Sequence, residues 1–219
     1  MGKIMIGTDE VLKIMYGTEE VSSLAMGGET IPVSGSPAPT PTPAYSAMPF
    51  TIEALGSGNI VLSQNGTAIS RSFYISINGG TETSYTIDGT NTSLTFSVSS
   101  GDTISFRATQ QQNGIADTAL RRIHFKDSKA NYIAYGNISS LSYPDFESRN
   151  TIPGSQAYYG VFYNSSKLVS AENLILPTVA NQMFCFSYMF YNCGSLTTVP
   201  ILPADEVGRS AYTNMFSYC

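Results

Sequence analysis

His124 is the only histidine, so any serine or cysteine nucleophile activated by an imidazole would have to run through it. It stands between Ile123 and Phe125 in a run of strand character, with Arg122 and Lys126 on its own face. That placement predicts a partly exposed strand histidine rather than a general base. Asp145 and Glu147 would share one face of an extended segment and imitate a glycosidase pair. No other feature supports that pairing, and solvated loop carboxylates are the expectation. Cys185, Cys193 and Cys219, spaced by 8 and 26 residues, match no zinc template. Cys193 and Cys219 hold equivalent places in a repeat, which predicts buried free thiols packed as small apolar groups, with a disulfide as the alternative. Gly56-Ser-Gly58 and Asn78-Gly-Gly lack a lysine and a following helix, so they are turns and not phosphate loops. No catalytic residue, cofactor or metal is therefore expected.

The tyrosines offer more. Ten of the fourteen fall between Tyr132 and Tyr218. Tyr158 and Tyr212 recur in the repeat frame and are expected in the core. Tyr159, Tyr163, Tyr188, Tyr191 and Tyr218 include positions that must face outward, and they form the candidate binding face. Tyrosine gives a large contact area at low entropic cost and stacks on sugars or apolar partners.

The elements that position these residues belong to a chain poor in charge. Asp, Glu, Lys and Arg make up 12% of 219 residues, against about 25% in an average soluble protein. Fifty residues are Ser or Thr, and the net charge is -5 with only 11 Lys and Arg. Such a surface suits all-β extracellular modules and virion parts, is atypical of a metabolic enzyme, and carries no electrostatic footprint for nucleic acid. No apolar run approaches the ~20 residues of a membrane span. The residues after Met1 meet Gly and two acids before a signal-peptide core can form, so no secretion address is expected.

The predicted fold is mainly β, in four parts. In residues 1–31, Lys3-Ile-Met-Ile-Gly-Thr-Asp-Glu-Val11 returns as Lys13-Ile-Met-Tyr-Gly-Thr-Glu-Glu-Val21 and, degraded, as Ser23-Leu-Ala-Met-Gly-Gly-Glu-Thr-Ile31. The period of ten is even, so short strands keep the same faces, and Gly-Thr-Asp/Glu-Glu reads as turn chemistry. Strands this short bury too little alone, which predicts support from further copies or a docking partner, with a small meander packed on the next domain as the alternative. Residues 32–49 hold six of eleven prolines and read as a semi-rigid linker. Residues 50–136 alternate with period two and predict an immunoglobulin-like antiparallel β-sandwich. Its strands lie at Phe50–Ala54, Asn59–Leu62, Phe73–Ile77, Tyr85–Ile87, Leu94–Val98, Ile104–Ala108, Arg121–Phe125 and Tyr132–Tyr135. In residues 137–219, Tyr158-x-x-Val161-Phe162 recurs as Phe186-x-x-Met189-Phe190 and Tyr212-x-x-Met215-Phe216, at offsets of 28 and 26. Apolar positions in register at that period predict a solenoid. The chain ends inside a repeat, so either the protein continues or something covers that end.

Met189-Phe-Tyr-Asn-Cys-Gly-Ser-Leu-Thr-Thr-Val-Pro-Ile-Leu-Pro203 resembles the BspA-like leucine-rich repeat of gut bacteria and their phages, as does Val161 to Pro177. Ser165 departs from that family by standing where it has Cys. Residues 50–107, through Asn78-Gly-Gly and Gly101-Asp-Thr-Ile-Ser-Phe-Arg107, are similar to the sandwich fused ahead of such repeats. The ten-residue repeat is similar to N-terminal segments of phage head and tail appendage proteins. The resemblance implies adhesion. The expected function is a non-enzymatic virion appendage, a head or tail fibre displaying an adhesin module. Residues 1–31 would join other virion proteins, the partner would be a host-surface glycan or protein, and the assembly would be a homo-oligomer (dimer or trimer). A bacterial cell-surface adhesin is the alternative, and a polysaccharide-degrading fibre is a third reading.

Overall fold

The computed structural model describes four short strands before residue 33, as backbone, and residues 43–219. The chain divides into two compact units, Met1–Thr42 and Pro43–Cys219. It is mainly β, with several sheets and almost no helix.

In the first unit β1 (Met15–Tyr16) pairs antiparallel with β2 (Glu19–Glu20), and β3 (Ser23–Met26) with β4 (Glu29–Pro32). The period of ten carries β1 onto β3 and β2 onto the start of β4. Each pair flanks two residues that include glycine, Gly17-Thr18 and Gly27-Gly28. This corrects the reading of the whole Gly-Thr-Glu-Glu stretch as turn. Glu19 and Glu20 form the return strand, because closing onto Met15 and Tyr16 satisfies backbone groups that a longer turn would leave open. The first copy of the repeat lies outside the described residues.

The second unit opens with a single helical turn, α1 (Pro43–Ser46), and contains two facing sheets. The larger includes β5 (Phe50–Ala54), β7 (Arg71–Ile77), β8 (Thr83–Ile87), β10 (Thr103–Ala108) and β13 (Tyr132–Asn137), with β10 bonded to β5 on one side and β7 on the other. The smaller runs β11 (Ala116–Thr118), β12 (Arg121–His124), β6 (Gly58–Gly66), β9 (Ser93–Val98). Strict alternation drives this arrangement. Leu94, Phe96 and Val98 of β9 are buried while Ser93, Thr95 and Ser97 are exposed. Phe96 meets Phe106 of the opposite sheet edge-on at 6.2 Å, and Phe50 lies 5.8 Å from Phe125, so the two inner faces share one core. Each such phenylalanine contributes roughly 1.5–3 kcal/mol by burial. The β7–β8 connection turns at Asn78 and Gly79, both at positive φ (52° and 68°), as a hairpin turn of this hand requires.

β13 belongs to both halves of this unit. One edge bonds antiparallel to β5; the other bonds in parallel to β14 (Leu168–Ser170) and β15 (Leu174–Ile175). Gly136 inside it has φ 82°, and a Cβ there would sit 2.2 Å from the Pro49 carbonyl oxygen. Only glycine permits that approach. Residues at the end of the proline-rich stretch are thereby tied down, since Asn137 donates through its backbone to Met48 at 2.8 Å and through Nδ2 to Ser46 at 3.2 Å.

Candidate functional site

Three stretches, near residues 156–164, 184–192 and 210–218, stack as successive turns. Every second amide from Gln156 to Asn164 donates to the carbonyls of Met183, Cys185, Ser187, Met189 and Tyr191, at 2.9 to 3.0 Å. The amides from Phe184 to Asn192 repeat this onto Arg209, Ala211, Thr213, Met215 and Ser217. To aim alternate amides forward, the chain reverses at every fourth residue. Positive φ occurs at Gln156, Gly160 and Asn164, then Phe184, Tyr188 and Asn192, then Ser210, Asn214 and Tyr218. Inside the stack run two ring columns. Tyr158, Phe186 and Tyr212 are separated by 5.6 and 5.5 Å, and Phe162, Phe190 and Phe216 by 5.4 and 5.3 Å, all nearly parallel. Tyr158 is fully buried, and Tyr212 is half-buried against the core.

This scaffold brings all five candidate tyrosines together. Tyr163 stacks on Tyr191 at 5.0 Å and 6°, Tyr191 meets Tyr218 at 5.2 Å, and Tyr188 lies 5.3 Å from both Tyr159 and Tyr191. Tyr159, Tyr163, Tyr188 and Tyr191 are half-buried and Tyr218 is 74% exposed. Tyr218 carries strain on this face at φ 62°, and so does Tyr188. Tyr188 has φ 57° where the neighbouring turns hold Gly160 and Asn214. An aromatic residue in the left-handed region costs about 1–2 kcal/mol, a cost that clusters at functional sites. The Tyr188 hydroxyl accepts from Asn214 Nδ2 at 2.7 Å, which fixes the ring.

At one side of the face lies Arg122 of β12, whose guanidinium carbon sits 4.6 Å from the Tyr163 ring centre and 5.7 Å from that of Tyr159. A cavity of about 210 Å³ opens beside it, lined by Ala119, Gln156, Tyr159, Phe184 and Tyr188. Arg122, Gln156 and Phe184 were not singled out from sequence as binding residues. A signal existed in the two-residue spacing that puts Arg122 on the face of His124. Its contact with tyrosines some forty positions away is purely tertiary.

The candidates for chemistry fall elsewhere. His124 is fully buried and not partly exposed. The reason is that β12 is bonded between β11 and β6, while the first turn of the stack crosses over it, Phe125 donating to the Val161 carbonyl at 3.1 Å. Burial lowers the imidazole pKa to about 4, with smaller contributions from Lys126 and Arg122. Nδ1 accepts from the Lys126 amide at 3.4 Å, and Nε2 has no partner. Asp145 and Glu147 do not lie along an extended segment. Asp145 precedes a single 3₁₀ turn, Phe146–Ser148, and pairs with Arg149 at 2.7 Å. Cys185 and Cys193 are buried thiols whose pKa is pushed up to about 12 by desolvation. Cys219 is exposed, which corrects the expectation of burial at that position, because no further turn covers it among the described residues. Cys193 and Cys219 do occupy matching places, their Sγ atoms bonding the carbonyls of Phe162 and Phe190. Among the described residues, no three His, Cys, Asp or Glu side chains are grouped to hold a metal ion.

Among the described residues, no helix is long and apolar enough to cross a membrane. Comparison with protein-family models, with curated proteins and with solved structures finds no match to this chain.

Proposed function

We propose that this chain is a non-enzymatic attachment module, a subunit of a virion appendage of the head- or tail-fibre kind. In this reading the facing sheets are an immunoglobulin-like sandwich, and the stacked turns begin a BspA-like leucine-rich-repeat array. Residues 1–31 join other virion proteins or further copies of the chain, since short strands with open edges need partners. The tyrosine face touches a host-surface glycan or protein.

The observation that carries the reading is the assembly of Tyr159, Tyr163, Tyr188, Tyr191 and Tyr218 into one face on a hydrogen-bonded stack of turns. Rigid aromatic anchors lose little entropy when a partner orders them, which is the economy that adhesive surfaces use. His124 is buried and Asp145 pairs with Arg149, so neither is assigned a catalytic role in this reading.

The test has two arms. Mass spectrometry of purified virions should find the polypeptide; recovery from bacterial cell envelopes instead would favour a cell-surface adhesin. Fluorescently labelled chain should attach to host cells, and Tyr188→Ala with Tyr191→Ala should abolish attachment while leaving the circular dichroism unchanged. Undiminished attachment by the double variant would remove the face from the reading.

A further inference from the structure

Arg71, Arg107, Arg121 and Arg149 each have a carboxylate within 4 Å: Asp117, Glu82, Asp117 again and Asp145. Arg122 has none among the described residues, yet it is only 8% exposed. Its Nη1 donates to the Ala119 carbonyl, and its Nε is enclosed with no partner. Burying a cation without an anionic partner is unfavourable. The faces of Tyr163 and Tyr159 offset part of that. Gly160 packs closely over the side chain, and a Cβ there would lie 3.3 Å from Arg122 Cδ and Nε. The site therefore holds a positive charge that the protein has not neutralised.

The charge lies behind the cavity wall, Arg122 itself not being one of the five lining residues. Ala119, which accepts from the guanidinium, and Tyr159, over which it lies, are both part of the cavity wall. At about 210 Å³ the cavity falls below the ~300–1,000 Å³ of a drug-sized site, which limits it to a single ring. Its wall offers two phenol faces and the Gln156 amide. Flat π-faces beside amides and hydroxyls suit a ligand with C–H faces and many hydroxyl groups. The nearby acid Asp117 is already engaged by Arg71 and Arg121, so an incoming anion meets little repulsion.

Resting on the attachment reading above, we infer that this cavity binds an acidic sugar, a pyranose whose ring lies against Tyr159 and Tyr188 and whose carboxylate pairs with Arg122. Two sources carry that chemistry: uronic acids of microbial or plant polysaccharides, and sialic acids of host glycans.

Calorimetric titration of the full chain separates them. The probes are trigalacturonic acid and sialyllactose, each against its neutral counterpart, the trigalacturonate methyl ester and lactose. At least one acid should bind about tenfold more tightly than its counterpart, a difference of about 1.4 kcal/mol, and which acid does so identifies the source. Arg122→Gln should bring that ratio to about one, and Tyr188→Ala should remove binding of acid and neutral sugar alike. If Arg122→Gln fails to fold, Arg122→Lys keeps the cation without the planar fork. It should weaken the acid severalfold and leave the neutral sugar unchanged. Equal binding of acid and neutral forms, lost in Tyr188→Ala, overturns the role of Arg122 but leaves the tyrosine face standing. Attachment to cells through that face with no binding of any of the four sugars overturns the sugar assignment.

Discussion

The rings of Phe162 and Phe190 lie 5.4 Å apart and only 9° from parallel, although 28 residues separate them in the chain. On its other side Phe162 stacks on Phe125, 5.8 Å away at 27°. The core of the facing sheets thus runs without a break into the column of the turns. The tyrosine face sits on the outside of that column, one residue along from it at Tyr163 and Tyr191.

Phe162→Ala should therefore cost about 3–5 kcal/mol, because it opens a cavity where the two halves meet. Phe216→Ala, half-buried and stacked on one neighbour only, should cost less than about 2 kcal/mol. Denaturant melts of both variants read the contrast; equal losses would show that the two halves unfold independently.

Gly160→Ala should destabilise by about 1–2 kcal/mol, since φ is 61° and the new Cβ would press on Arg122 and Tyr163. Gly194→Ala, with nothing within 4 Å, should stay within about 1 kcal/mol of the parent in either direction. Thermal melts should then place the Gly160 variant several degrees below the Gly194 variant.

His124 titrates at about 4 in the fold and near 6.5 when unfolded. A depressed pKa on a base means the unfolded chain binds the extra proton. The contribution to stability is present in full above pH ~6.5 and is lost as pH falls toward ~4, by up to about 3 kcal/mol. Stability measured across that window should slope downward with acid, and His124→Leu should flatten the slope.

A thiol reagent at neutral pH should modify Cys219 rapidly. Cys185 and Cys193 should react only on unfolding, because burial holds both thiols protonated. Mass spectrometry of the labelled chain counts the sites, and rapid triple labelling of the native protein would contradict the stack.

Much of this was legible in the sequence, because alternation and repetition are local signals. Strands expected at Phe50–Ala54, Phe73–Ile77 and Leu94–Val98 are present as β5, β7 and β9. The repeat frame that set Tyr158 apart from Tyr159 also separates a buried ring from a half-buried one. β11 was not expected, since Ala116–Thr118 is too short to show a period. The parallel pairing of β14 and β15 onto β13 was not visible either, because register between distant segments leaves no mark in either one. The four-residue spacing of Gly160 and Asn164 hints at left-handed turns, but Tyr188 in the same role hides the rule.

The periodic placement of apolar and aromatic residues is enough to establish a mainly β chain, a repeat of 26 to 28 residues and five tyrosines outside its frame. Their union into one face, the burial of His124, and the unpaired Arg122 beneath two phenol rings depend on which surfaces meet when the chain closes. Such contacts join residues some forty positions apart. The local preference of each segment is satisfied equally well with or without its distant partner, so only packing selects the pair.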